Sequence, residues 1–199
     1  SLHDALPICI TEAFSFFNEV VIGGAMNTGF AIRKVLAAET IRLVHQWLPA
    51  VLSNHADLKA RHQLCYAAMQ AGVAFDNGLL HFTHALEHPL SAVSPDLSHG
   101  LGLAVLLPAV ILECYPARPD VLAHILAPMA PGLKGLPEEA PMAARAVEQW
   151  LASVGVPQKL EDIGVTAQDI EKFCDLAEQT PSLGLLLSVA PVEATRERV

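Results

Sequence analysis

The chain is poor in charge. Only 17% of its 199 residues are charged, and twelve Lys and Arg stand scattered against 21 Asp and Glu, for a net charge of −9. Gripping a phosphate backbone takes clustered cations, so a nucleic-acid partner is excluded on this reading. Long apolar runs are lacking too. The longest, "LGLAVLLPAVIL" at 101–112, holds twelve residues and a proline, against the roughly 20 that cross a bilayer, so no transmembrane helix is expected. No basic region leads into an apolar segment at the start, so no secretory leader is read. The four cysteines, Cys9, Cys65, Cys114 and Cys174, lie far apart with no C-x-x-C pair. They read as reduced thiols, mostly small apolar core residues, in a cytoplasmic protein. Low-complexity segments and fixed-period repeats are absent as well.

What remains is an apolar chain, 52% hydrophobic, long enough for one domain with a real core. Its first eight residues, "SLHDALPI", are set aside. A common sequencing-library adapter, TCC CTA CAC GAC GCT CTT CCG ATC T, translates in this frame as those eight residues, with one T left to begin the codon of Cys9. Residues 1–8 are therefore expected to be an adapter-derived tail, and 9–199 a helical domain truncated at both ends.

Strand patterns are scarce and helical ones abundant. Over 28–52, Ile32, Val35, Leu36, Leu43 and Trp47 recur at spacings of three, four and seven, which predicts an amphipathic helix that Pro49 can kink. A second helix is expected over 55–75, with Asp76-Asn77-Gly78 as its stop. A third covers about 79–90, a turn follows at 94–98, and Ser98 can cap an almost wholly apolar helix at 99–115. Further helices are expected at 119–129, 142–153 and 167–179, the last opened by a Thr166/Asp169 capping box. "PVEATRERV" (191–199) looks like the opening of another. The fold class is all-α, a helical bundle, with a Pro/Gly-rich loop at 128–141.

Four of the nine histidines fall in "HFTHALEHPLSAVSPDLSH" (81–99). Spacings of three and four put His81, His84 and His88 on one helical face. Imidazoles bind divalent transition metals when they converge on one ion. A continuous helix would hold His84 and His99 more than about 20 Å apart at 1.5 Å per residue, but the turn at 94–98 can fold them together. His84 and His99 are thus candidate metal ligands. His88 is either a further ligand or a nearby acid/base group, and His81 is left open. Glu87 is expected to point away from the shared histidine face as a solvated or structural carboxylate. His45, His55, His62 and His124 each stand alone and read as surface or core residues.

The run "FDNGLLHFTHALEHPLSAVSPDLSHGLGLAVLLPAVI" (75–111) resembles the metal-binding core of the iron-containing, or group III, alcohol dehydrogenases. An aromatic, an Asn-Gly pair, His-x-x-x-His-Pro-Leu-x-Ala, a short turn, and His-Gly opening an apolar helix with a Leu-Pro all occur in order. "GVPQKLEDIGVTAQDIEKF" (155–173) is similar in style to the family's later segment. The resemblance implies the helical C-terminal domain of a two-domain enzyme whose dinucleotide-binding domain is missing here. It also implies NAD or NADP, Fe(II) or Zn(II) as Lewis acid, a small-molecule alcohol or aldehyde substrate, and a homodimer. By the same resemblance His84 and His99 are metal ligands, His88 lies near the nicotinamide as a catalytic and cofactor-binding residue, and Phe75 lines the nicotinamide pocket. The family's other two ligands come from an earlier Asp-x-x-x-His. Here "HDALPICITEAF" (3–14) offers Asp4 but puts Ile8 in the histidine's place, so both upstream ligands are expected to be lost, with Glu12-Ala13-Phe14 as the remnant of that helix. Two other classes remain open at this point: a helical metal-dependent hydrolase using His3-Asp4, and a non-enzymatic helical interaction module.

Overall fold

The structure, a computed structural model, describes residues 31–76, 82–188 and 190–198. All regular elements among them are helical. Helices α1 (Ala31–Ser53) and α2 (Leu58–Asp76) form an antiparallel hairpin. Its connection is closed by the Asn54 side chain accepting from the Ala56 amide (3.1 Å) and by Asp57 capping the Ala60 amide (2.9 Å). The buried stripe of α1 is Ala37, Ile41, Val44, Leu48 and Val51, a strict three-four alternation. The expected stripe was rotated from this one: Leu43 is buried, Leu36 and Trp47 pack at its margin, and Val35 is 64% exposed. Ala37 on α1 and Ala60, Ala67, Ala71 and Ala74 on α2 are all fully buried, small side chains that suit a close approach of the two packed helices.

Helix α3 (Phe82–Val93) follows, then α4 (His99–Cys114), which runs into a single 3-10 turn at Tyr115–Ala117. The apolar stretch His99–Ala117 is long enough to cross a membrane by length and composition, but more than half of it is buried against the protein itself. It packs between α3 and α6 (Ala140–Ser153) as the central helix of the bundle. Helix α5 is Pro119–Leu126, three residues shorter than expected, its end continuing as a turn closed by Ala130 N–H on the Leu126 carbonyl (2.8 Å).

Helix α6 starts two residues earlier than expected and ends on a Schellman motif. Gly155, at φ +91°, lets the Val156 amide reach the Leu151 carbonyl (3.0 Å) and its own amide reach Ala152 (3.1 Å). Helix α7 (Ile170–Gln179) begins three residues later than expected. Asp169 does reach back to Thr166, accepting from its amide (2.9 Å) and hydroxyl (2.7 Å), but the segment between them closes as a turn. Helix α8 (Pro181–Ser188) was not anticipated. Its start, Pro181 after an extended Thr180, is the proline-first pattern that could have revealed it. The segment 191–199 was expected to open a helix, but its described part, 191–198, forms bends and a turn instead. Arg196 there reaches Asp175 and Glu178 of α7, and Arg198 faces Glu113 of α4. The expected tail at 1–8, the remnant at 12–14 and the Asn77-Gly78 helix stop lie outside the described residues.

Candidate metal centre at the α3–α4 junction

Two short-range features bring α3 and α4 together. Ser94 N–H closes on the Leu90 carbonyl (2.9 Å) and Leu97 N–H on Ser94 (3.0 Å), which turns the chain within five residues. Ser98, extended at φ −69° and ψ 139°, then starts α4 by accepting the Gly102 amide on its carbonyl (3.0 Å). Its backbone adopts the cap expected of it while its hydroxyl makes no cap bond.

This reversal sets His99, the first residue of α4, against the middle of α3. The ring centres of His84 and His99 are 5.3 Å apart with planes tilted by 58°. His88 completes a triangle, 6.0 Å from His99 and 6.5 Å from His84. The three differ in burial: His84 is 4% exposed, whereas His88 and His99 reach solvent. Burial, reinforced by the two neighbouring imidazoles, brings His84 down to about 4. The ring is therefore neutral at pH 7, the state in which imidazole donates to a metal.

Glu87 is where the structure departs from the sequence reading. Its side chain is 1% exposed and turns toward the histidines: Oε2 lies 2.5 Å from His99 Nδ1, and Oε1 accepts the Ser91 hydroxyl at 2.6 Å. Burial pushes this carboxyl up, but the hydrogen bonds from His99 and Ser91 outweigh it and hold the group below the usual range. Three residues past His84, Glu87 sits only about 60° around the helix from it, and α4 packs against that edge. Helical spacing puts Glu87 beside the histidine face, and the packing of α4 decides which way it turns.

Among the described residues no group of three or more His, Cys, Asp and Glu side chains is arranged to hold a metal by itself. His81 and the 3–14 segment fall outside them. Phe75 is in the last turn of α2, with its side chain outside the described set. An apolar cavity of about 160 Å³ lies on the other side of α3, walled by Phe82, Leu86, Leu90, Leu106, Val110 and Phe173, and has no part in the histidine cluster.

Fold and site together define a helical domain that gathers imidazoles from two consecutive helices at one edge. Residues 26–199 match the family described as Fe-containing alcohol dehydrogenase family, C-terminal. The chain belongs to this family. It is 55% identical over 161 residues to the long-chain primary alcohol dehydrogenase AdhA of Thermoanaerobacter ethanolicus, covering 81% of this chain and 40% of that protein. To the 1,3-propanediol dehydrogenase of Citrobacter freundii it is 35% identical, covering 71% of this chain and 37% of that one. Among solved structures, the alcohol dehydrogenase from Oenococcus oeni superposes with TM-score 0.84 at 25% identity, over 96% of this chain and 49% of that one. A 1,3-propanediol oxidoreductase superposes with TM-score 0.81 at 26% identity, over 93% of this chain and 48% of the other. The chain thus spans about 40% of these curated relatives and about half of the solved chains.

Proposed function

We propose that this chain is the metal-binding helical part of an enzyme that oxidises small-molecule primary or secondary alcohols, or reduces the matching aldehydes and ketones, by hydride transfer with NAD or NADP. The observation that carries the reading is the 5.3 Å between the His84 and His99 ring centres, in a chain of this family. Metal–nitrogen bonds of about 2.0–2.1 Å place two imidazoles on one tetrahedral ion with ring centres about 5 Å apart, so the pair fits a divalent cation such as Fe(II) or Zn(II). The donor chemistry fits as well, because a neutral buried His84 and a His99 whose Nδ1 faces a carboxylate both suit coordination.

When bound, such an ion supplies Lewis acidity, drawing electron density from the substrate's hydroxyl oxygen and lowering its pKa. His84 and His99 would hold it. Burial of His84 keeps water from that flank of the site. His88, exposed and with its ring centre 6.0 Å from that of His99, would accept the hydroxyl proton and pass it to solvent, or orient the nicotinamide. Phe75 would line the nicotinamide pocket. The dinucleotide itself would be held mainly by a separate N-terminal domain of the complete protein, which is expected to be a homodimer.

The test is made on the complete protein, with metal analysis and nicotinamide-linked oxidation of a series of primary alcohols. His84→Ala is expected to lose bound metal and turnover together, and full metal content in that variant would sink the ligand assignment. The 199-residue chain by itself is expected to bind metal weakly and to show no alcohol oxidation. Alcohol oxidation by the isolated chain, or a stoichiometric, tightly held metal in it, would overturn the proposed division of labour.

A further inference from the structure

We propose that Glu87 is the positioning residue of this site: its carboxylate fixes the tautomer and ring orientation of His99, so that the ion is met by Nε2. The inference rests on the reading of His99 as a ligand and adds to it a residue outside the ligand set.

Three observations converge. First, Glu87 is 1% exposed on its side chain, and a buried carboxylate is costly unless donors surround it. Its donors are His99 Nδ1 on one oxygen and the Ser91 hydroxyl on the other, so both oxygens are held and the group cannot swing. Second, space is kept for it. Gly102 lies inside α4, where glycine weakens a helix relative to alanine. A Cβ at that position would meet Glu87 Cγ at 2.9 Å and Oε1 at 3.0 Å, with Leu97 Cδ2 at 3.2 Å. Third, His99 needs the help. Its side chain is 42% exposed at the first position of a helix, and a neutral imidazole has two tautomers between which a hydrogen bond to one ring nitrogen decides.

An ionised carboxylate only accepts hydrogen bonds, so the His99 nitrogen facing it, Nδ1, must carry the proton. Coordination then falls to Nε2. A ligating histidine that donates its other N–H to a carboxylate is oriented and made more basic, and losing such a partner costs about 10–100-fold in metal affinity. If Glu87 merely clamped α3 to α4, its removal would lower stability and leave the tautomer and the affinity of the folded protein alone.

That contrast sets the experiment. Long-range ¹H–¹⁵N correlation spectra of the metal-free chain are expected to show His99 as the Nδ1–H tautomer. Glu87→Gln, whose amide oxygen can accept the same bond, should keep it. Glu87→Ala should release it to a mixture dominated by Nε2–H. Co(II) titration should weaken by about 10–100-fold in Glu87→Ala, with Glu87→Gln between it and the wild type. A folded Glu87→Ala chain with unchanged tautomer and unchanged Co(II) affinity overturns the proposal. Should that variant fail to fold, Gly102→Ala displaces the carboxylate with its chemistry intact, and is expected to show the same tautomer loss and weaker Co(II) binding. Unchanged values there would be equally fatal. The ligand reading fails separately: it falls if His99→Ala binds Co(II) as tightly as the wild type, whatever the tautomer spectra show.

Discussion

Replacing glycine by alanine inside a helix normally adds stability, and Gly72 and Gly102 carry opposite expectations. Gly72, in α2, is exposed and has no atom of the described residues within 4 Å of a built Cβ. Gly72→Ala should therefore gain the full helix-propensity difference, about 0.5–1 kcal/mol. Gly102 gains the same from propensity, but its new methyl falls 2.9 Å from Glu87 Cγ and 3.0 Å from Oε1. Overpacking of a tethered, buried neighbour costs about 1–3 kcal/mol, and the carboxylate can yield only by loosening its hold on His99 and Ser91. The expected net for Gly102→Ala is a loss of about 0–2.5 kcal/mol, and because the propensity gain is common to both, the two variants should differ by the overpacking cost, about 1–3 kcal/mol, with Gly102→Ala the less stable. Urea unfolding of the three proteins with a common slope measures this directly. At this chain length each 1 kcal/mol moves Tm by about 2–4 °C, so the split is also visible on heating. Equal stabilisation by both alanines would refute the close packing of Glu87 against α4, and with it the argument that Gly102 exists to admit a carboxylate.

Leu107, fully buried at the centre of α4, tests the same helix as core: Leu107→Ala should cost about 2–5 kcal/mol in urea unfolding, and a loss under 1 kcal/mol would contradict its burial. Of the described cysteines, Cys65 is exposed while Cys114 and Cys174 are buried, and burial pushes the Cys114 thiol up to about 12. Mass spectrometry after brief alkylation of the native chain at pH 8 should find Cys65 modified and Cys114 untouched until denaturant is added. Tyr115 is buried with its hydroxyl 3.2 Å from Glu139, and burial first, the Glu139 charge second, raise it to about 12. Between about pH 10, where the unfolded phenol ionises, and 12, the unfolded chain binds fewer protons than the folded one, so stability should fall as pH rises. Tyr115→Phe should flatten that part of the pH profile, and an identical slope in the variant would count against the burial.

The parts of this fold that could be read from the sequence are those where one residue type at one spacing leaves a single physical option. The Ala-rich stretch at 55–75, a Ser-Pro-Asp-Leu-Ser turn, and an apolar run opened by His-Gly each place a helix or a reversal within a few residues of where it lies. Elements governed by balance were misplaced. The buried stripe of α1 runs through Ala37, Ile41, Val44, Leu48 and Val51 and leaves Val35 exposed, because the helices that cover α1, namely α2 and α5, and not its own apolar pattern alone, decide which edge is buried. Helix α8 is eight residues long, too short for a periodic pattern to stand out, and its proline-first start was the only local mark.

The site divides along the same line. His84 and His99 were legible because a turn of five residues joins their helices, so their meeting depends on local geometry that the sequence writes out in full. Glu87 was misjudged for a reason that is just as local: its direction was assigned from the histidine face, when what decides it is the edge of α3 that α4 covers. Only a partner twelve residues away, across the turn, reveals that edge. Gly102 carried the missing clue, since a glycine inside an otherwise apolar helix signals that another group comes close at that point. Read together, a buried acid on one helix and a missing Cβ on the next mark the Glu87 carboxylate as a packed partner of His99 and not a solvated side chain.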